Sequence, residues 1–200
     1  MLQTHLNNYK IILASQSPRR KHLLEGLDID FEVLVRPGIV EKVPKGLDKI
    51  KIPLYLAEFK SEAYTDLLKE KVLLITADTI VWHNNRELGK PENFKHAVHL
   101  LKELSGSMHE VITGVCLRSQ KQQKTFYSLS KVWFRSLSDE EINYYLKHYK
   151  PFDKAGSYGI QEWLGYAAIE KIDGSFYNVM GLPVQALYNE LIKFIENEEN

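Results

Sequence analysis

The residues that could carry chemistry begin with Ser15, Arg19 and Arg20, in IILASQSPRR at residues 11–20. An apolar run breaks there into serines, and Ser17 then caps a helix whose first position suits Pro18. A helix start is the positive end of the macrodipole, so Arg19, Arg20 and Lys21 are each unfavourable there by a few tenths to ~1 kcal/mol unless an anion sits against them. A phosphate held by free backbone N–H groups and two guanidinium forks resolves the conflict. The alternative is that the three cations are solvated and point away. If Arg20 serves only a phosphate, its removal should leave the unliganded fold level or firmer. Asp78 lies between the apolar runs Val72–Ile75 and Ile80–Trp82, where a carboxylate is costly unless it is paired, bound to metal or capping a turn. Lys60 sits near the centre of the helical face formed by Leu56, Ala57, Ala63, Tyr64 and Leu67. Its ammonium either snorkels past the core edge or enters a cleft between helix and sheet.

The elements that position these residues follow from the pattern. A strand over residues 11–14 feeds the Ser17 helix, which should stop near Gly26, and Phe31 to Val35 reads as a second strand. The polar segment Arg36 to Pro53 is a surface loop with Glu41 in its middle, and Pro53 opens the helix bearing Lys60. The two apolar runs around Asp78 follow, then a hairpin turn at Asn84 and Asn85. The stretch ELGKP, with Lys90 before the next helix (about Asn93 to Leu104, ended by Gly106), comes after it. His109–Leu117 and Thr125–Phe134 read as antiparallel strands joined by SQKQQK, and Ser138 with Glu141 makes a capping box. Asp153 to Tyr166 is aromatic and punctuated by glycines. Ala167–Ile169 reads as a last strand, Asp173–Tyr177 as a turn, and a helix opened by Gly181–Pro183 ends in ENEEN, which should fray.

Composition narrows the classes. At 200 residues and 44% apolar, the chain can bury a sizeable core in one domain. Cationic and anionic residues number 26 each, so no global field draws it to nucleic acid or membrane, and any anion site is a local cluster. The single cysteine, Cys116, lies in an apolar run and fits a core thiol in a reducing compartment. No apolar run approaches 18 residues, and the N-terminus lacks a signal-peptide core; the expectation is a cytoplasmic protein. No Ser, His and Asp order implies an acyl-transfer triad, and the histidines lack zinc-ligand spacing with cysteines.

The stretches LASQSPRR, TADT (Thr76–Thr79), GKP (Gly89–Pro91), LSGSMHEVITG (Leu104–Gly114), DKAGSYGIQ (Asp153–Gln161) and DGSFYNVMGLP (Asp173–Pro183) resemble, in order and spacing over nearly the whole chain, the Maf family. The resemblance implies a single α/β domain over residues 1–200, two-lobed and inosine triphosphate pyrophosphatase-like, with a curved mixed β-sheet flanked by helices, a central cleft and, often, homodimers. It implies a metal-dependent nucleoside triphosphate pyrophosphatase that yields the monophosphate and pyrophosphate, with regulation of septum formation as the associated alternative. Carried over residue by residue, Ser15, Arg19, Arg20, Lys60 and Lys90 fall on the phosphate-binding positions and Asp78 on the catalytic aspartate. Glu41 and Asp78 fall on the carboxylates for Mg²⁺ or Mn²⁺. The subfamily resembled most acts on dTTP and UTP, and its selectivity positions are Arg19, Thr79 and Gln161; other members act on bases such as 7-methyl-GTP or CTP. Where that subfamily continues with glycine after the IQ pair, this chain has Glu162 and Trp163.

The chemistry agrees with these residues. A triphosphate carries close to four negative charges and calls for several cations and a divalent metal held by one or two carboxylates. Hydrolysis needs a water that a carboxylate can align and deprotonate, and Asp78 suits that task. Gln161 offers an amide complementary to a uracil or thymine edge, and Tyr158 either stacks on a base or belongs to the core. A passive nucleotide-binding protein would gain nothing from a carboxylate near phosphates, and a nucleic-acid binder would need a basic stripe with interleaved aromatics.

Overall fold

The computed structural model describes residues 2–199. In chain order the elements are α1 (Leu2–Leu6), β1 (Lys10–Leu13), α2 (Pro18–Glu25), β2 (Glu32–Val33), α3 (Lys51–Glu62), β3 (Val72–His83) and β4 (Arg86–Leu88). Then come α4 (Phe94–Leu104), β5 (Met108–Arg118), β6 (Gln123–Phe134), α5 (Asp139–Tyr149), α6 (Trp163–Ala168), β7 (Ile169–Asp173), α7 (Phe176–Met180) and α8 (Val184–Glu199). The strands form a mixed, seven-stranded sheet in the order β2-β1-β3-β5-β6-β7, with β4 attached to β3 alone. β1 runs parallel to both β2 and β3, with Ile12 opposite Glu32 on one side and Leu74 on the other. β4 is antiparallel to β3, and β7 antiparallel to β6.

Two compact units divide the chain. The first comprises Met1–Asp78, Thr113–Ser128 and Gly181–Asn200, and the second Thr79–Ile112 and Leu129–Met180. In the first, Leu13, Leu24, Leu73, Leu74, Leu187 and Leu191 are fully buried. Gly114 on β5 lies against Pro53 on α3: a Cβ at this position would come within 2.3 Å of the Pro53 carbonyl oxygen, so only glycine admits the helix here. In the second unit, Leu88, Leu100, Leu101, Tyr145 and Leu164 fill the core.

Local signals explain most element ends. Ser17 caps α2 through Arg20 N–H, and Ser138 and Glu141 form the expected reciprocal box at α5. Asn84 and Asn85 both take positive φ (47° and 58°), the twist a two-residue hairpin needs between β3 and β4.

Several expectations are revised. The two apolar runs around Asp78 are one twelve-residue strand, β3, because Thr76 is satisfied inside the fold by donating to the Ala57 carbonyl (2.6 Å), so the polar residues there do not break the ladder. β2 shrinks to Glu32–Val33, both exposed at the sheet's end. α3 starts at Lys51, two residues before Pro53, whose missing N–H is harmless in a first turn. Ala167 and Ala168 finish α6 before β7 begins at Ile169, and part of the segment read as a turn is α7. α8 continues through Glu199 rather than fraying from Glu196; Asn200 lies outside the described residues.

Candidate active site

In the first unit the structure builds a chain of contacts from the residues singled out above. β1 ends at Leu13, and Ser15 Oγ then accepts the Ser17 N–H (3.2 Å), setting the turn into α2. Arg20, in the first turn of that helix, reaches back across β1. Its Nη1 donates to the Ala77 carbonyl (2.8 Å) and more weakly to Ser15 Oγ (3.4 Å), and its Nε donates to the Gly181 carbonyl (2.8 Å). Burial lowers the Arg20 pKa from its ordinary value, Asp78 opposes that shift and Arg19 adds to it; a guanidinium so placed remains a cation.

The next residue along β3 is Asp78, whose Oδ1 accepts a hydrogen bond from Lys60 Nζ at 2.6 Å. The same ammonium lies 3.2 Å from Glu41 Oε1. Lys60 and Asp78 are 17% and 13% exposed at their side chains, shielded enough for the pair to act as a structured charge cluster rather than a solvated one. Lys60 therefore points inward, not past the core edge. The loop carrying Glu41 is tied at its start by Arg36, which forks onto Asp66 with two 2.7 Å bonds, donates to the Ala63 carbonyl and lies over the Tyr64 ring.

Glu41 and Asp78 are the carboxylates that could hold a divalent metal. Glu41 and Asp78 turn carboxylate oxygens toward one shared cation, Lys60, and hard oxygens that already converge on a positive charge are the ligands Mg²⁺ and Mn²⁺ take. Among the described residues no group of three or more His, Cys, Asp or Glu side chains is arranged to hold a metal ion.

The second unit carries Thr79, Lys90 and Gln161. Thr79 is half-buried on β3 next to Asp78, and Lys90 is exposed after β4. The segment around Gln161 is held by unusual backbone: Gly156 and Ser157 both have positive φ (66° and 61°), and a Cβ on Gly156 would press on Val81 at 3.2 Å. Gln161 Oε1 is buried with no hydrogen-bond partner, an acceptor whose desolvation costs about 1–3 kcal/mol until a donor meets it.

The Maf-like protein family matches residues 10–194. The chain belongs to that family. A relative from Porphyromonas gingivalis, 55% identical over 96% of this chain and 98% of its own, is a dTTP/UTP pyrophosphatase, as is one from Parabacteroides distasonis at 56% identity over 95% and 98%. One from Flavobacterium johnsoniae, 47% identical over 98% and 100%, carries the same name. A nucleoside-triphosphatase / dITP/XTP pyrophosphatase from Mycobacterium abscessus matches at a TM-score of 0.36 and 15% identity, over 70% of this chain and 94% of that one, a likeness too slight to carry weight.

Within this Maf-like chain some roles differ from the sequence reading. Tyr158 is core: it is buried against Phe134 and His109, and its hydroxyl meets His109 Nε2 at 2.7 Å, so it has no face left for a base. Arg20 anchors two backbone carbonyls whatever else it does, a duty no local signal at residue 20 could disclose because its partners lie at Ala77 and Gly181. Glu162 is also a contact residue, held by Lys154 and Tyr145. Among the described residues no helix is long and apolar enough to cross a membrane.

Proposed function

We infer that this chain is a nucleoside triphosphate pyrophosphatase that hydrolyses dTTP and UTP to the monophosphate and pyrophosphate, acting in the cytoplasm. The observation that carries the reading is the Lys60 ammonium shared by Asp78 and Glu41, close to a serine-capped helix start that bears Arg19 and Arg20. Cations for a polyphosphate and carboxylates for its metal and its water stand together.

In this mechanism Ser15 and Arg19 at the start of α2, with Lys60 on α3, receive phosphate oxygens. Arg20 holds that turn to the Ala77 and Gly181 carbonyls, and its charge favours the same anion. Asp78 aligns a water and takes its proton as the oxygen attacks phosphorus; the anhydride bond between the α and β phosphates breaks and pyrophosphate leaves. Lys60 fixes the Asp78 carboxylate and steadies the charge that develops. Glu41 and Asp78 would hold the divalent metal, which supplies charge neutralisation and a more acidic water. By the family resemblance Lys90 takes a phosphate role, and Arg19, Thr79 and Gln161 are the selectivity residues.

The choice of base rests on Gln161. Its buried Oε1 needs a donor, and uracil and thymine present N3–H at the edge where their carbonyls also accept from the amide Nε2. Cytosine and adenine present an acceptor at that ring nitrogen and their donor on the neighbouring exocyclic amine, so the amide meets them only with the base shifted in its site. The test is pyrophosphate release from UTP, dTTP, CTP, ATP, GTP and 7-methyl-GTP, with and without Mg²⁺. UTP and dTTP should lead, release should need the metal, and Gln161→Glu should cut the UTP:GTP ratio ten- to a hundredfold, matching about 1–3 kcal/mol for a mispaired buried group. Absence of release from every nucleotide would overturn the activity, and an unchanged ratio in the variant would overturn the base reading.

A further inference from the structure

We propose that Glu162 is a positioning residue for base selection: with Lys154 and Tyr145 it clamps the turn that presents Gln161. The proposal rests on the reading of Gln161 given above. Residues 159–162 form a turn closed by the Glu162 N–H donating to the Gly159 carbonyl at 3.1 Å, so Ile160 and Gln161 are its two inner residues. The Glu162 side chain closes the same turn a second time. Its carboxyl carbon packs over Gly159, where a Cβ would come within 2.9 Å of it. Its Oε2 accepts from the Tyr145 hydroxyl, and that hydroxyl accepts the Gly159 N–H at 3.0 Å. Its Oε1 meets Lys154 Nζ at 3.0 Å, and Lys154 also reaches Asp153 at 2.8 Å.

These partners are well placed to hold it. Tyr145 is fully buried on α5, Lys154 is 9% exposed, and the Glu162 side chain is 18% exposed. A lysine so buried is retained only with its counter-charges, which fixes the carboxylate in turn. Burial first, then Glu162, raise the Tyr145 pKa, so the hydroxyl remains a donor. The Glu162 carbonyl accepts the Gly165 N–H (2.9 Å) and so starts α6 directly after the turn. The amide of Gln161 thus sits between two fixed ends, and a buried acceptor that discriminates bases depends on that fixity.

The experiment compares kcat and KM for UTP and GTP, with Mg²⁺, and the melting temperature in Glu162→Gln, Tyr145→Phe and Gln161→Glu. In Glu162→Gln and Tyr145→Phe, kcat/KM for UTP should fall about tenfold, mainly through KM, while that for GTP falls less than threefold. Glu162→Asp should recover part of the UTP:GTP ratio. A Gln161→Glu variant with an unchanged ratio would sink the underlying base reading. If that variant shifts the ratio while folded Glu162→Gln or Tyr145→Phe protein keeps it, the clamp is refuted. Equal losses on both nucleotides together with a lower melting temperature would also refute it, leaving a structural role alone. Should Glu162→Gln fail to fold, Tyr145→Phe, which retains the Lys154 to Glu162 pair, decides the matter by the same ratio.

Discussion

Replacing Asp78 by asparagine separates catalysis from stability, because the structure sets different magnitudes for the two. The amide keeps the shape of the side chain and an oxygen where Oδ1 now accepts from Lys60 Nζ at 2.6 Å. What is lost is charge. A hydrogen bond to a charged acceptor contributes roughly 1.5–3 kcal/mol and a neutral one about 0.5–1.5, so the expected destabilisation is about 1–2 kcal/mol. Lys60 does not become an orphaned buried cation, which would cost about 3–5 kcal/mol, since Glu41 stays within 3.2 Å. For a chain of this size the melting temperature should drop by about 2–8 °C. Turnover should fall far more, by roughly 10² to 10⁴, the usual worth of a general base and about 3–5 kcal/mol of barrier. UTP should bind at least as tightly, because a negative charge beside its phosphates is gone. Pyrophosphate release under saturating UTP and Mg²⁺, with thermal melts in the presence and absence of a non-hydrolysable UTP analogue, gives both numbers. Undiminished turnover would refute the general-base role, and a melting temperature lowered by much more than 8 °C would make Asp78 chiefly a structural partner of Lys60.

Arg20→Ala should destabilise the unliganded protein by about 2–3 kcal/mol and so lower its melting temperature, because the Ala77 and Gly181 carbonyls each lose a charged donor; an unchanged melt would restore the view that Arg20 serves only the phosphates. His109 gives the fold a pH dependence. Burial drops its pKa from about 6.5 to about 3, with His83 adding to the shift, and its Nε2 faces the Tyr158 hydroxyl. The unfolded chain takes up a proton that the folded one refuses, so this contribution is intact above pH 6.5 and lost as pH falls toward 3, by up to ~1.4 kcal/mol per unit. Urea midpoints at pH 7.5, 6 and 5 should fall more steeply for the native chain than for His109→Gln, and parallel slopes would contradict the assignment.

Much of this was legible in the sequence where a property is local. The Ser17 cap, the Ser138 and Glu141 box and the Asn84-Asn85 turn declare themselves within a few residues, and each is found. The oddity of cations at a helix start and of a carboxylate amid apolar strand residues also marked Arg20 and Asp78 without any partner in view. What the sequence withheld is what distant partners decide. Thr76 hides the continuity of β3 until Ala57 is seen to accept its hydroxyl. Tyr158 is as suited to stacking as to packing until His109 and Phe134 surround it. Glu162 shows in the sequence only as a departure from the subfamily's glycine, and its role is seen once Lys154 and Tyr145 hold it.

The parallel pairing of β1 with β3 bears on the order in which the protein folds. The β3 to β4 hairpin and the β5 to β6 pair join neighbours in sequence and can close in microseconds. β1 has no such option: Ile12 must wait for Leu74, and Arg20 finds the Ala77 carbonyl only across 57 residues. Parallel, non-local pairing is intrinsically slow, since loop closure must be met before contacts return anything. The turn from β1 into α2 and the strand bearing Asp78 are therefore joined late, and during synthesis β1 is made well before its partner β3. In refolding experiments, hairpin structure should precede nucleotide binding, with competence to bind UTP arriving in the slowest phase.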